Sequence, residues 1–320
     1  MDKKKVAVLG SGTMGPGIAV TYALGGYITA LYSRSQKTLQ RAKTVIASDL
    51  QLFVEEGVVS EETAKEAFER ICFMDSVEAA VDRAWYIAET IVENPEAKKQ
   101  LYAQLDEILP AEVIIASNTS YLNVFELIPA RRQPYSVISH WYAPAHILPL
   151  VEVVKGPQTL DAVMEDVVAL HKNCGKTAIR MEKYIPGFIV NRMQSAMTRE
   201  VIYLLENGYC TAEELDLAVK TSLMPRGLLL GLVQRMDFNG LDMIARSVEN
   251  KKYIPAPELD RPKMIFDLTD NGDYGVKTGK GFFDYSHQPY EQVLSQRDKM
   301  LLKSVRLANS FIEEPLHNKK

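Results

Sequence analysis

Cysteine is scarce in this chain: three residues in 320, at positions 72, 174 and 210. No Cys-x-x-Cys and no Cys/His metal-ligand spacing joins them. An odd, scattered count excludes a disulfide framework and points to buried thiols in a reducing compartment. Long apolar runs are also lacking; none nears the roughly 18–20 residues that a membrane span requires. The amino terminus, MDKKK, passes at once into a strand pattern, so no signal or transit peptide is expected. Neither sign of charge is in excess: 37 Lys+Arg stand against 41 Asp+Glu, a net of −4, with no basic stripe to meet nucleic acid. These absences leave a cytoplasmic protein whose partner is a small molecule, with no metal, nucleic acid or membrane. The length suffices for two domains, each with its own core.

What is present is an alternation of short β-branched runs with longer amphipathic stretches. KVAVLG, ITALY, WYIAET, VIIAS, SVISH and LVEVV read as strands, with Ile18–Leu24 and Leu39–Glu56 as helices between the first of them. Strand–helix alternation predicts a parallel sheet covered on both faces, a doubly wound α/β domain. Beyond Pro186 the pattern changes. From Phe188 to about Glu249 it is helical throughout, as in NRMQSAMTREVIYLLENG, which stops at a glycine. The expected domains are therefore residues 1–185, which bind a dinucleotide, and residues 186–320, all-helical. The polar tail from His287 reads either as a last helix or as a loose end.

GSGTMG, Gly10–Gly15, follows the first strand and opens a helix. The spacing has a physical reason. Gly10 makes the tight turn, Gly12 leaves space for a pyrophosphate, and Gly15 lets helix and strand approach. Thr13 and Met14 complete the loop, the helix amino terminus offers free N–H groups, and Pro16 suits its first turn. The next strand should end on a carboxylate that holds the ribose 2′-hydroxyl of NAD. ALYSRSQKTL, residues 30–39, has none; Ser33 stands there with Arg34 beside it. Serine removes the repulsion of a 2′-phosphate, and Arg34 could pair with it, which favours NADP over NAD. The alternative is a solvated Arg34 and NAD held through its pyrophosphate.

Two later stretches carry acid–base chemistry. ISHWYAP ends a strand on His140, and LVEVV places Glu152 among apolar neighbours twelve residues on. A lone carboxylate in such a strand costs several kcal/mol, so Glu152 needs a partner, and His140 is the obvious one. A carboxylate on one ring nitrogen orients the other and raises its basicity, which suits removal of a hydroxyl proton as a hydride leaves. The competing reading makes both mere strand-end residues.

GSGTMGPGIA, ETIVEN, ASNTS, SHWYAPAHILPLVEVV, IPGFIVNR and YGVKTGKGFFDY stand in the order and spacing of the 3-hydroxyacyl-CoA dehydrogenase superfamily, over residues 5 to about 286. The chain resembles that family, and LYAQLDEI and ENGYCTAEELDL are most like its lambda-crystallin (L-gulonate dehydrogenase-like) branch. The resemblance implies a Rossmann-like domain followed by a helical domain that forms a homodimer. It makes His140 the acid or base on the 3-hydroxyl oxygen and Glu152 its orienting partner. Ser120 would bond the reacting oxygen and Asn191 would line the same pocket. Glu93 and Lys98 match the pair near the nicotinamide ribose, and Asn118 and Lys277 match further cofactor contacts.

The chain also departs from the family. Ala143-Pro144 replaces the usual Asn-Pro after the histidine. Where the acyl-CoA enzymes place Ser and Lys for the CoA phosphates, spacing puts Asp49 and Glu56, and carboxylates would repel that nucleotide. The expectation is an NAD(P)-dependent enzyme interconverting a 3-hydroxy and a 3-keto group, on a 3-hydroxyacyl-CoA or a free 3-hydroxy acid. A catalytically silent dinucleotide-binding or crystallin-like protein, and an imine reductase on the same fold, are the alternatives. For a free acid, Arg226 in LMPRG is the candidate carboxylate clamp, on a turn marked by Pro225 and Gly227; capping a helix carbonyl or pairing across a dimer is its other reading.

Overall fold

The structure, a computed structural model, describes residues 4–251, 254–258, 260–313 and 316. The first three residues of the MDKKK terminus lie outside them. Eight strands form one sheet: β1 (Lys5–Leu9), β2 (Ile28–Tyr32), β3 (Ile71–Met74), β4 (Tyr86–Glu89), β5 (Ile114–Ser117), β6 (Ser136–Trp141), β7 (Leu150–Lys155) and β8 (Thr177–Met181). Their order is β3-β2-β1-β4-β5-β6-β7-β8. Neighbours are parallel except β6 and β7, which run antiparallel. The purely parallel sheet expected above is thus corrected at that pair, joined by a short connection that needs no crossover helix.

Two strands carry no clear sequence pattern. β3 has four residues behind a charged helix, too few to show a period. β8 is an edge strand interrupted by Arg180, its fourth residue, with no buried residue, so it lacks an apolar run.

Alternating side chains of β1 feed both faces of the sheet. Val6 and Val8 join an apolar cluster with Ile18, Tyr22 and Ile46, whereas Ala7 and Leu9 join one with Val81, Leu101 and Leu105. The first cluster packs α1 (Gly15–Leu24) and α2 (Gln36–Glu55), next to α3 (Glu61–Glu69); the second packs α4 (Val77–Val81) and α5 (Pro95–Ile108). Ser35 caps α2 by accepting the Thr38 amide, so the helix begins before the apolar residue Leu39. α6 (Asp161–Asn173) connects β7 to β8.

The chain divides into two compact units, Met1–Asn191 and Arg192–Lys320. The second carries most of α7 (Val190–Glu206), then α8 (Ala212–Ala218), a π-helical turn (Val219–Leu223), α9 (Met224–Leu230), α10 (Val233–Asn239), α11 (Leu241–Asn250), α12 (Lys263–Asp270) and α13 (Tyr290–Glu313). The tail beyond His287 is largely helix among the described residues. Among the described residues of the second unit only Ala256, Asp298 and Leu302 are buried. No helix among the described residues is long and apolar enough to cross a membrane.

Candidate active site

β1 and β4 are neighbours whose onward connections lead to opposite ends of the sheet, the switch point at which such folds bind ligands. A cleft of about 820 Å³ opens there, lined by the whole Gly10–Met14 loop, Ser33, Arg34 and Glu93. The three glycines do different jobs. Gly10 has φ +120°, and a Cβ on it would stand 2.7 Å from the Thr90 carbonyl oxygen. A Cβ on Gly15 would strike the Gly10 carbonyl oxygen at 1.9 Å, yet one on Gly12 would meet nothing within 4 Å. Gly10 and Gly15 thus serve the packing, and Gly12 keeps the cleft side open. α1 starts with no side-chain cap, so its first N–H groups are available to an anion. These residues fit a dinucleotide pyrophosphate.

Behind the cleft lies a buried ionic network. Glu89, at the end of β4, is fully buried and accepts from Lys98 Nζ at 2.7 and 2.9 Å, Tyr102 OH at 2.6 Å, Ser117 Oγ at 2.6 Å and the Ile91 amide at 2.9 Å. Lys98, likewise buried, also meets Glu93 Oε2 at 3.5 Å. Glu93 Oε1 in turn accepts from Thr119 Oγ1 at 2.5 Å, the Ser120 amide at 2.8 Å and the Tyr121 amide at 3.4 Å. Burial first, then the Glu89 charge and hydrogen bond, push the Tyr102 phenol well up, so it stays a donor. Lys98 is therefore no solvated helix charge: it ties the strand end to the loop that presents Ser120.

The acid–base pair forms across the antiparallel ladder, where His140 and Glu152 are register partners. Between them lie the last residue of β6, the connection and the first two residues of β7. His140 Nδ1 donates to Glu152 Oε2 at 2.9 Å, and both side chains are buried. Tyr142 OH donates to the same oxygen at 2.7 Å, and the Ile189 and Val190 amides reach Oε1 at 3.0 and 3.2 Å. Gly187 and Phe188 precede those amides with φ of +77° and +52°, a left-handed reversal that turns the chain into α7. Burial works to raise the Glu152 carboxyl; hydrogen bonds from His140, Tyr142 and the two amides outweigh it and hold the group below its usual value. With Nδ1 committed to an ionised carboxylate, Nε2 is the ring nitrogen that exchanges protons. Asn118 Oδ1 accepts the Trp141 amide at 3.0 Å, tying the end of β5 to the residue after His140.

The first unit thus gathers the glycine loop, Ser33, Arg34, Glu93, Lys98, Asn118, Ser120, His140, Glu152 and, at its last residue, Asn191. Lys277, in the turn Val276–Thr278, and Arg226 belong to the second. Arg226 does not stand on a turn. It lies inside α9, where Pro225 fits the first turn, and its guanidinium bonds back to the Ser222 carbonyl and hydroxyl at 3.0 and 3.1 Å. Asp49, on α2, meets His146 Nδ1 at 3.5 Å. The sequence reading missed Glu89 and Tyr142. Glu89 carried the signal used for Glu152, a carboxylate in an apolar strand; Tyr142 had only its nearness to His140.

Residues 5–184 match the 3-hydroxyacyl-CoA dehydrogenase NAD binding domain, and residues 187–285 match the C-terminal domain of the same enzymes. A probable 3-hydroxybutyryl-CoA dehydrogenase of Bacillus subtilis is 33% identical over 90% of this chain and 99% of its own. The human lambda-crystallin homolog is 30% identical over 80% of this chain and 83% of its own. The solved structure of 5-formyl-3-hydroxy-2-methylpyridine 4-carboxylic acid 5-dehydrogenase, an NAD+-dependent dismutase, superimposes with a TM-score of 0.86 at 26% identity, over 96% of this chain and 98% of that one. With a glycine loop at a switch point, a buried histidine–glutamate pair and both regions matched, the chain belongs to the 3-hydroxyacyl-CoA dehydrogenase family and is an NAD(P)-dependent oxidoreductase.

Proposed function

We propose that this enzyme interconverts a 3-hydroxy and a 3-keto group, with His140 as the general acid–base. The observation that carries the reading is the buried 2.9 Å contact between His140 Nδ1 and Glu152. In oxidation His140 Nε2 takes the hydroxyl proton, and the carboxylate stabilises the imidazolium that results. In reduction the same nitrogen returns it. When bound, a nicotinamide would supply or accept the hydride. Ser120 and Asn191 would contact the reacting oxygen, and Glu93 and Asn118 would serve the cofactor side, with buried Lys98 bracing Glu93 from behind. His140→Ala should lower turnover by about 10²–10⁴-fold with cofactor affinity preserved. Parent-like turnover by that variant would refute the assignment.

NADP is the favoured cofactor, because Ser33 and Arg34 line the cleft where a ribose-binding carboxylate would stand. A free 3-hydroxy acid is favoured over a CoA thioester. α2, α3 and the turn between them carry Asp49, Glu55, Glu56, Glu61 and Glu62, a poor surface for CoA phosphates. The structure matched at TM-score 0.86 is likewise, by its name, a dehydrogenase of a free carboxylic acid. Rates with 3-hydroxybutyrate and 3-hydroxybutyryl-CoA, each with NAD and NADP, decide both points. The partner of the helical unit is a second copy of the chain: Met193, Met197, Leu228, Leu229 and Phe238 are exposed on helices that bury none of their own residues. Light scattering at the mass of one chain would refute the dimer.

A further inference from the structure

We infer that Tyr142 is a positioning residue that sets the pH range of turnover by competing with His140 for Glu152 Oε2. The inference rests on the reading of His140 as the acid–base, and extends it to a residue outside the pair. Both donors meet one oxygen atom, the phenol at 2.7 Å and the imidazole at 2.9 Å. Neither can move to Oε1, which the Ile189 and Val190 amides occupy at 3.0 and 3.2 Å. The Tyr142 ring also meets the imidazole edgewise, with centroids 4.6 Å apart, so the phenol is held in place by the group it influences. Burial and the Glu152 carboxylate push the phenol's ionisation well up, so Tyr142 remains a donor wherever the enzyme works.

The described contacts of the pair beyond Tyr142 are apolar or neutral. β6 presents His140 and β7 presents Glu152; β8 places Ile179 in register with Glu152, and Asn118, the residue after β5, accepts the Trp141 amide. The segment before α7 contributes the Phe188 ring, 4.9 Å from the imidazole, and the two amides. Glu152 therefore supplies the charge that His140 feels most directly, and Tyr142 draws on that charge.

The sign follows. A hydrogen bond from Tyr142 lowers the electron density that Oε2 offers to an imidazolium, so it weakens the protonated form of His140. Tyr142→Phe removes the competitor while keeping the ring. Protonated His140 gains, and its titration moves up by about 0.5–1 pH unit, the scale of one charge-assisted hydrogen bond felt through a shared acceptor. Oxidation needs neutral His140, so its acid limb moves to higher pH. Reduction needs protonated His140, so its basic limb moves the same way.

The test measures pH–rate profiles of the parent and Tyr142→Phe in both directions, on whichever of 3-hydroxybutyrate or its CoA thioester turns over. NMR titration of isotope-labelled histidine reads the ring without turnover. Both limbs and the His140 titration moving up together support the inference. A uniform loss of rate with unmoved limbs, or a titration that stays or falls, overturns it. His140→Ala is run alongside. If that variant is inactive while the Tyr142→Phe limbs stay fixed, only the role of Tyr142 fails; if it turns over like the parent, the acid–base reading fails and takes this inference with it.

Discussion

Replacing Lys98 with methionine separates a framework role from a direct ligand contact. Lys98 and Glu89 are both fully buried, at 0% side-chain exposure. The ammonium spans both Glu89 oxygens at 2.7 and 2.9 Å and touches Glu93 at 3.5 Å. Methionine fills similar space and leaves the Glu89 carboxylate buried without its cation. Tyr102, Ser117 and the Ile91 amide remain as donors, but none carries charge. Breaking a buried pair from one side costs about 3–5 kcal/mol. For a unit of this size each kcal/mol lowers the melting temperature by about 2–4 °C, so Lys98→Met should melt about 6–20 °C below the parent. Removing both charges in Glu89→Gln/Lys98→Met should recover at least about half of that, because the orphaned carboxylate is gone. Differential scanning calorimetry of parent, both single variants and the double variant closes the cycle. Lys98→Met melting within about 2 °C of the parent, or a double variant as unstable as the single, would refute the argument.

Glu152→Gln orphans two of its four donors, since an amide nitrogen cannot accept; turnover should fall by about 10²–10⁴-fold and stability by about 2 kcal/mol or more, read from rates and urea unfolding. Its lowered carboxyl also has a pH signature: the stability it contributes is complete above the ordinary value of 4.5 and drains as pH falls through the folded value, so parent acid unfolding should be steeper than that of Glu152→Gln. For the cofactor, Arg34→Ala should weaken NADP far more than NAD and Ser33→Asp should reverse the preference, both read by fluorescence titration; a parent that binds NAD at least as tightly as NADP defeats the idea. Arg226→Met should leave KM for a free 3-hydroxy acid within about twofold, because its guanidinium is spent on the preceding helical turn. A large rise in KM would reinstate the clamp.

The glycine loop was legible because its logic is local. A tight turn, an open approach and a close helix–strand contact lie within six residues, Gly10–Gly15, and each position does in space what its spacing implies. The His140–Glu152 contact was legible for a related reason: two apolar strands with a short connection pair in antiparallel register. What escaped reading depends on distant partners. The amides that complete Glu152 come 37 and 38 residues later and are aimed by the reversal at Gly187 and Phe188. Ser117 reaches Glu89 because β4 and β5 are neighbours with these two residues in register, which only the strand order reveals. Arg226 misled for the opposite reason. Pro225 and Gly227 look like a turn, but a π-helical turn ahead of them carries the chain onward as helix.

Two carboxylates lie buried in strands of this sheet, and their donors explain why one suits catalysis. Each is saturated with hydrogen bonds, so neither is under pressure to leave its place. Glu89 has an ammonium among its donors. Its charge is cancelled within the network, and what remains is a rigid tie between the strand end, α5 and the loop at Thr119–Tyr121. Glu152 is held by an imidazole, a phenol and two amides, all neutral when His140 is neutral. Its negative charge is therefore uncompensated at rest. A proton arriving on His140 turns that charge into an ion pair in a poorly screened site, which gives the imidazolium the stabilisation that proton transfer demands. Exchange of the two environments would abolish the effect: a carboxylate already paired with lysine has little left to give a histidine.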